Sequence, residues 1–423
     1  MAGQSPVDLV IIGAGAAGLG ATKAARALGL DVVTFEAMDR VGGRAFTCTE
    51  PFGFPWDAGC HWLHSASVNP FTKIADAEGF HYRTASMAWY TWANGRLNTV
   101  EEEAAVDAFI DSTLDAAMRC GREGIDIAMA DVLDPDSPWA NVIRYHINAE
   151  WGVDPRAAST LDFSRYRDTH ENWPVEEGYG ALVVRAASEV VADVELSTPV
   201  ESVTWSGPGV RVTTPKGTVD ATAAVITVST GVLADEVIAF DPRLPDWKQE
   251  AFAAVPLGRA NKIALKLEAE ALGDVPEYGA AAPIGPGQMM GLHVRPFGRD
   301  MVDGYVGGPA CVELEAAGET AMIEAASEAL GMLMGSGLRR QIVASTATRW
   351  ASEPYIRGAY AAAIPGQADR REALRQPLDD RLFFAGEATS PEFFTTCHGA
   401  WETGIAATRE VARVLGREAP TPR

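Results

Sequence analysis

The residue types most suited to chemistry appear early, where Gly13-Ala-Gly15-Ala16-Ala-Gly18 satisfies the spacing G-x-G-x-x-G. Glycines there let backbone approach a pyrophosphate, and a following helix offers unpaired N–H groups and partial positive charge to the phosphates. Glu36 comes roughly 20 residues later, where a carboxylate can accept hydrogen bonds from ribose hydroxyls. The same carboxylate would repel a 2′-phosphate, which disfavours NADP. A dinucleotide site is therefore the first expectation.

The elements that must position this site are legible around it. Val7-Asp-Leu-Val-Ile-Ile12 is a short β-branched apolar run suited to a buried parallel strand. Leu19 to Leu28 is Ala-rich and helical, with Gly29 as its C-terminal stop. Asp31 to Glu36 reads as the second strand of a βαβ unit. From Asn69 to Asp168 the pattern is helical, with a break at Asp134-Pro-Asp-Ser-Pro138. Strands return between Val190 and Ile226, with turns at Gly207-Pro-Gly209 and Pro215-Lys-Gly217, and Val225-Ile-Thr-Val228 reads as a buried parallel strand. Leu382-Phe-Phe-Ala-Gly386 is a strand running into a glycine turn, and Gly399 to Leu415 is a closing helix.

Nucleotide-binding character at both chain ends implies a discontinuous domain. We expect a Rossmann-like α/β (α+β) cofactor domain over 1–75, 178–240 and 350–423. A substrate domain of mixed sheet and helices would take 76–177 and 241–349.

Composition narrows the function classes. A chain of 423 residues with 47% hydrophobic and 22% charged residues is an ordinary folded protein of about two domains. Its net charge of −22 argues against nucleic acid as a general partner and would draw small cations toward the surface. Cys48, Cys60, Cys120, Cys311 and Cys397 are odd in number and lack CxxC spacing, which argues against a disulfide framework or a zinc site. A reducing cytoplasm is the expected location. No apolar stretch reaches the length of a membrane span, and neither a signal peptide nor a tail anchor is expected at the ends. Nothing in the sequence specifies an oligomeric state.

Several blocks resemble the flavin monoamine oxidase family in order along almost the whole chain, with the pattern of its polyamine oxidases. They are Asp39-Arg40-Val41-Gly42-Gly43-Arg44; Trp56-Asp-Ala-Gly59-Cys60-His61-Trp62-Leu-His64 with Asn69-Pro70; Phe240 to Pro245 leading to Pro256-Leu-Gly-Arg-Ala-Asn-Lys262; Trp350 with Glu353-Pro354 and Gly358-Ala-Tyr360; Leu382 to Thr389; and Thr395-Thr396-Cys397-His-Gly-Ala400 with Gly404. The resemblance implies a glutathione-reductase-type fold and non-covalent FAD, because Ala359 stands where monoamine oxidases carry the flavin-linked cysteine. Arg44 would pair with the pyrophosphate, as a bidentate guanidinium does well. Glu387, beside Gly386, would meet the ribityl chain or a phosphate-side hydroxyl, and the helix from Cys397 would aim its positive end at the flavin pyrimidine. Gly43, Gly59, His61, Trp62, Val200, Trp350, Thr396 and Cys397 join the implied cofactor contacts.

Lys262 has two readings. In Asn261-Lys-Ile-Ala-Leu-Lys-Leu-Glu268, alternation puts Lys262, Lys266 and Glu268 on one strand face, the pattern of a solvated lysine. The resemblance instead implies a lysine that reaches flavin N5 through a water and assists reoxidation by O2. Tyr360 would be an aromatic wall beside the flavin, and Thr396 occupies the second wall position in place of a tyrosine. His64 would contact substrate or flavin, and no third ligand accompanies it and His61 for a metal.

The implied activity is oxidation of a small amine, a polyamine foremost, with O2 as acceptor. L-Amino acid oxidases rank second, because Gly59 to Ser65 carries no arginine to clamp a carboxylate. Carotenoid desaturases and protoporphyrinogen oxidases fit the Asn261-Lys262 block poorly and rank third. A non-catalytic FAD-binding protein is the reading from another class. For the distal charge of a polyamine, Glu171, Glu176 and Glu177 are the acids proposed.

Overall fold

The computed structural model describes residues 6–417. Residues 1–5 and 418–423, on which the expected absence of a leader and a tail anchor partly rests, lie outside the described residues.

The Gly-rich unit forms as its pattern requires. Strand Val7–Ile12, helix Ala16–Ala27 and strand Val32–Phe35 follow in order, and the strands pair in parallel with Ile12 opposite Phe35. They belong to an eight-stranded sheet ordered Ala239–Asp241, Ser202–Thr204, Val210–Thr214, Gly217–Ile226, Val7–Ile12, Val32–Phe35, Val194–Glu195. Leu382–Phe384 pairs in parallel with the end of Gly217–Ile226, so the last strand in the sequence lies close to the first. The interior strands are apolar on both faces because helices or loops cover both, as a parallel sheet demands.

Helix Cys397–Val414 packs beside helix Ala16–Ala27 in one core with Leu19, Trp401 and Val411. Gly18 permits the tight turn ahead of it. A Cβ at Gly18 would lie 1.8 Å from the Gly13 carbonyl oxygen, so no larger residue fits without moving backbone.

A second sheet has seven strands in the order Ile342–Ala347, Ala260–Leu267, Met301–Gly307, Gln288–Val294, Tyr278–Gly285, Trp89–Ala93, Arg96–Leu97. It is mixed, since Tyr278–Gly285 pairs antiparallel with Gln288–Val294 but parallel with Trp89–Ala93. The last two strands correct the all-helical expectation for 69–168. Trp89-Tyr-Thr-Trp-Ala93 has strong strand preference, and Asn94 and Gly95 take positive φ of 52° and 80° in the hairpin turn. The other helices there form as expected, notably Val100–Arg122, whose Thr99 and Glu102 make a reciprocal capping box.

One buried ion pair ties distant segments together. The Arg371 guanidinium donates to both Asp162 oxygens at 2.8 and 2.7 Å and to the carbonyls of Ala388 and Ala361 at 3.0 and 3.3 Å. Asp162 also accepts from the Ala363 amide at 3.0 Å, and the guanidinium lies 4.0 Å over the Phe394 ring.

Candidate active site

Both sheets contribute to one cavity of about 1230 Å³. Its Gly-rich part is lined by Gly13, Gly15, Ala16, Gly42, Gly43 and Arg44. Glu36 lies there, with one carboxylate oxygen accepting from the Ala14 amide at 2.6 Å and the other from the Met38 amide at 2.8 Å. Burial raises its pKa, against the pull of those two amides. Arg44 and Glu387 meet each other at 2.9 Å, and Arg44 also donates to the Ala359 carbonyl. Val200, Trp350 and Gly386 line the same cavity. Gly18 does not; its place is the turn behind it.

Gly59 passes so close to Arg44 that a Cβ there would lie 1.7 Å from the Arg44 carbonyl oxygen. This close approach threads Ala58, Gly59, Cys60, His61 and Trp62 along the cavity wall. Trp350 holds the other side, with its amide on the Asn261 carboxamide oxygen at 3.0 Å and its indole N–H on the Ala58 carbonyl at 3.3 Å.

Lys262 is 8% exposed, so the solvated reading of its strand face is corrected. That face of Ala260–Leu267 packs against protein, not water. The Lys262 ammonium donates to the Asp57 carbonyl oxygen at 2.9 Å and to Asp303 Oδ2 at 3.2 Å. Asp303 Oδ1 also accepts from the Trp56 indole at 3.1 Å.

Tyr360 lines the cavity with its hydroxyl on the Tyr305 hydroxyl and the Ala149 carbonyl. Burial pushes its phenol well above the ordinary range, and neighbouring Tyr305 adds to the shift. Thr396 lines the cavity too, but its hydroxyl is taken. It caps helix Cys397–Val414 by accepting from the Gly399 amide at 3.1 Å, and donates to the Phe393 carbonyl at 2.7 Å. Cys397, at the first turn of that helix, also borders the cavity. His64 reaches it with Nδ1 on Asn172 Oδ1 at 2.6 Å.

The acids proposed for a distal charge are placed elsewhere. Glu171 accepts from Ser67 and Thr169, Glu177 pairs with His81, and Glu176 is exposed; none of the three lines the cavity. Exposed carboxylates that do line it include Asp107, Asp111, Glu150 and Asp168, which sequence reasoning missed. A signal existed: Glu103, Asp107 and Asp111 recur every fourth residue, so they share one face of helix Val100–Arg122. Burial and the like charges of Glu103 and Asp111 raise the Asp107 carboxyl above its ordinary value. Asp57, Asp303, His293 and Tyr305 were also missed, and only the strand register shows why they matter: Lys262 faces Tyr305, and Ala264 faces Asp303.

Residues 134–412 match the model of the flavin containing amine oxidoreductases, and residues 11–76 match the NAD(P)-binding Rossmann-like domain. The chain belongs to the flavin-containing amine oxidoreductase family, and is an FAD-dependent oxidoreductase acting on amines. It is 30% identical to polyamine oxidase 2 of Arabidopsis thaliana over 455 residues, covering 98% of this chain and 90% of that one. Polyamine oxidase 4 of Oryza sativa subsp. japonica is 28% identical over 456 residues, covering 96% and 88%. A solved structure of a putrescine oxidase double mutant superposes with a TM-score of 0.79 at 20% identity, covering 96% of this chain and 99% of that one, which shows the shared fold.

The Gly-rich part fits such a cofactor on its own geometry, because Gly13, Gly15, Gly42 and Gly43 line the cavity without side chains to fill it, and a Cβ at Gly18 would collide with the turn behind them. Gly18→Ala is accordingly expected to cost about 1–3 kcal/mol by overpacking. The purified variant should carry less than half the flavin of the wild type, read as the ratio of flavin to protein absorbance. Full flavin content and unchanged melting would remove the close-approach role.

Proposed function

We propose that the protein oxidises a small cationic amine, a polyamine foremost, in the cytoplasm. FAD would lie non-covalently along the cavity, with Gly13, Gly15, Ala16, Gly43 and Arg44 at its pyrophosphate and Glu36 at its ribose. Gly59, His61, Trp62, Val200, Trp350, Gly386, Glu387, Thr396 and Cys397 would flank the rest, and Gly18 would act through the turn. When bound, FAD supplies a hydride acceptor at N5 and passes the electrons to O2, giving H2O2. The amine becomes an imine, which water hydrolyses to an aldehyde and a shorter amine.

This chain's own residues do the remaining work. Tyr360 walls the amine and excludes water, with Thr396 opposite contributing a small cap in place of a second ring. Lys262 sets a fixed positive charge where O2 gains electrons, and His64 contacts substrate near the channel. The cofactor part would comprise 1–75, 178–240 and 350–423, and the substrate part 76–177 and 241–349, in keeping with the two sheets.

The observation that carries the cationic substrate is the composition of the cavity lining. Asp107, Asp111, Glu150 and Asp168 are exposed carboxylates on it, and Arg44 is the one arginine among the described lining residues. Carboxylates attract ammonium groups and repel the carboxylate of an amino acid. Mixing the holoenzyme anaerobically with polyamines, monoamines and L-amino acids tests this through the oxidised flavin band. Polyamines should bleach it at least 10-fold faster than monoamines of equal chain length. Bleaching only by amino acids would promote an amino acid oxidase, and bleaching by nothing a non-catalytic flavoprotein.

A further inference from the structure

Glu315 is a buried carboxylate that the amine-oxidising reading leaves unused. It lies on helix Gly308–Ala317 and is 9% exposed. Its Oε1 accepts from the Ser352 amide at 2.8 Å and from the Ser352 hydroxyl at 2.7 Å. Its Oε2 accepts from the Asn261 carboxamide nitrogen at 2.8 Å. These donors are neutral, and a carboxylate buried among neutral donors is costly to keep.

The contacts form a chain with a fixed direction. Asn261 is 1% exposed, and both ends of its carboxamide are fully engaged. The nitrogen serves Glu315 and, at 3.2 Å, the sulfur of Cys311 on the same helix. The oxygen accepts from the Trp350 amide at 3.0 Å and from the Thr348 hydroxyl at 3.1 Å. With its proton committed there, Thr348 Oγ1 accepts from the Lys262 amide at 2.9 Å. The Thr348 amide donates back to the Lys262 carbonyl at 2.9 Å. A carboxylate can only accept, so Glu315 dictates which end of the Asn261 carboxamide faces which way. Turned over, that carboxamide would set its NH2 against the Trp350 N–H and leave both without an acceptor.

Two cavity groups depend on this chain. Adjacent strand residues point to opposite faces, so Asn261 reaches Glu315 while Lys262 reaches the Asp57 carbonyl and Asp303. Trp350 is fixed at its amide by Asn261 and at its indole by the Ala58 carbonyl, and it lines the cavity with Lys262.

We infer that Glu315 is a positioning residue for the reaction in the cavity: through Asn261 it holds Trp350 and the backbone of Lys262 where the oxygen reaction needs them. The inference rests on the role given to Lys262 above. Glu315 acts by hydrogen-bond direction, from the far side of the strand that carries Lys262.

Glu315→Gln tests this, because it keeps length and volume but introduces one NH2. Facing Ser352, that group meets an amide N–H; facing Asn261, it turns the carboxamide over. FAD release from the diluted holoenzyme, followed by flavin fluorescence, should become about 10-fold faster. Stopped-flow reoxidation of the reduced holoenzyme by O2 should become about 10-fold slower. Glu315→Gln combined with Asn261→Asp exchanges the two roles. The carboxamide then donates, and the new carboxylate accepts from Trp350 and Thr348. This exchange should restore both rates to within about 2-fold of wild type. Added to Lys262→Met, Glu315→Gln should change reoxidation by less than about 2-fold, as a shared route requires.

Wild-type flavin release and reoxidation in Glu315→Gln would overturn the inference while leaving amine oxidation intact. So would an exchange variant no better than the single change, or a full further loss on top of Lys262→Met. If Glu315→Gln does not fold, the exchange variant decides alone: near wild-type rates support the inference and slow reoxidation overturns it. A wild-type enzyme whose reduced flavin does not react with O2 would overturn it together with the role of Lys262.

Discussion

Lys262→Met should slow reoxidation of the reduced enzyme by O2 about 100-fold, with amine binding changed only a few-fold. A buried ammonium stabilises negative charge as it develops on oxygen, and does so far more strongly than in water. Stopped-flow mixing of anaerobically reduced enzyme with O2 measures this directly. The substitution also strands Asp303, whose remaining partner is the Trp56 indole at 3.1 Å. A lone buried carboxylate makes a stability loss of about 3 kcal/mol the second expected effect. Lys262→Met combined with Asp303→Asn separates the two, since it should restore most of the stability and none of the reoxidation rate. Wild-type reoxidation in the single variant would remove Lys262 from the oxygen reaction.

The largest expected effect on stability comes from Arg371→Met, at about 3–5 kcal/mol. The Arg371 and Asp162 side chains are only 5% and 1% exposed, so truncation leaves an uncompensated carboxylate in a dry interior. It also releases the carbonyls of Ala361 and Ala388, whose chain neighbours Tyr360 and Glu387 line the cavity. Thermal unfolding followed by flavin release should fall by several degrees. Arg371→Met with Asp162→Leu should be less damaging than the single change, because well-packed apolar groups often replace a buried ion pair at little cost. Melting within a degree of wild type would show that the segment is held by its apolar contacts instead.

The cofactor end was legible because it is local. Gly13 to Gly18, the strands on either side and Glu36 lie within one βαβ unit, so spacing alone specifies which atoms meet. The hairpin at Trp89–Ala93 was legible too, in its aromatic run and Asn94-Gly95 turn, but the long helical stretch around it masked the signal. Lys262 lies between these cases. Period-2 alternation puts it on the same strand face as Lys266, yet nothing local says what covers that face.

What the sequence by itself determined is thus the Rossmann-like unit, the closing strand and helix, and the family, all carried by motifs of short range. Only the tertiary structure decided the reactive surroundings. It brought Lys262 to the carbonyl of Asp57 across 205 residues, and it lined the cavity with Asp107 and Asp111 from one face of Val100–Arg122 and with Glu150 and Asp168 from elsewhere, rather than with Glu171, Glu176 or Glu177. The physical reason is that burial and ion pairing depend on which distant strands share a register. A charged residue therefore looks the same in sequence whether water or another carboxylate awaits it.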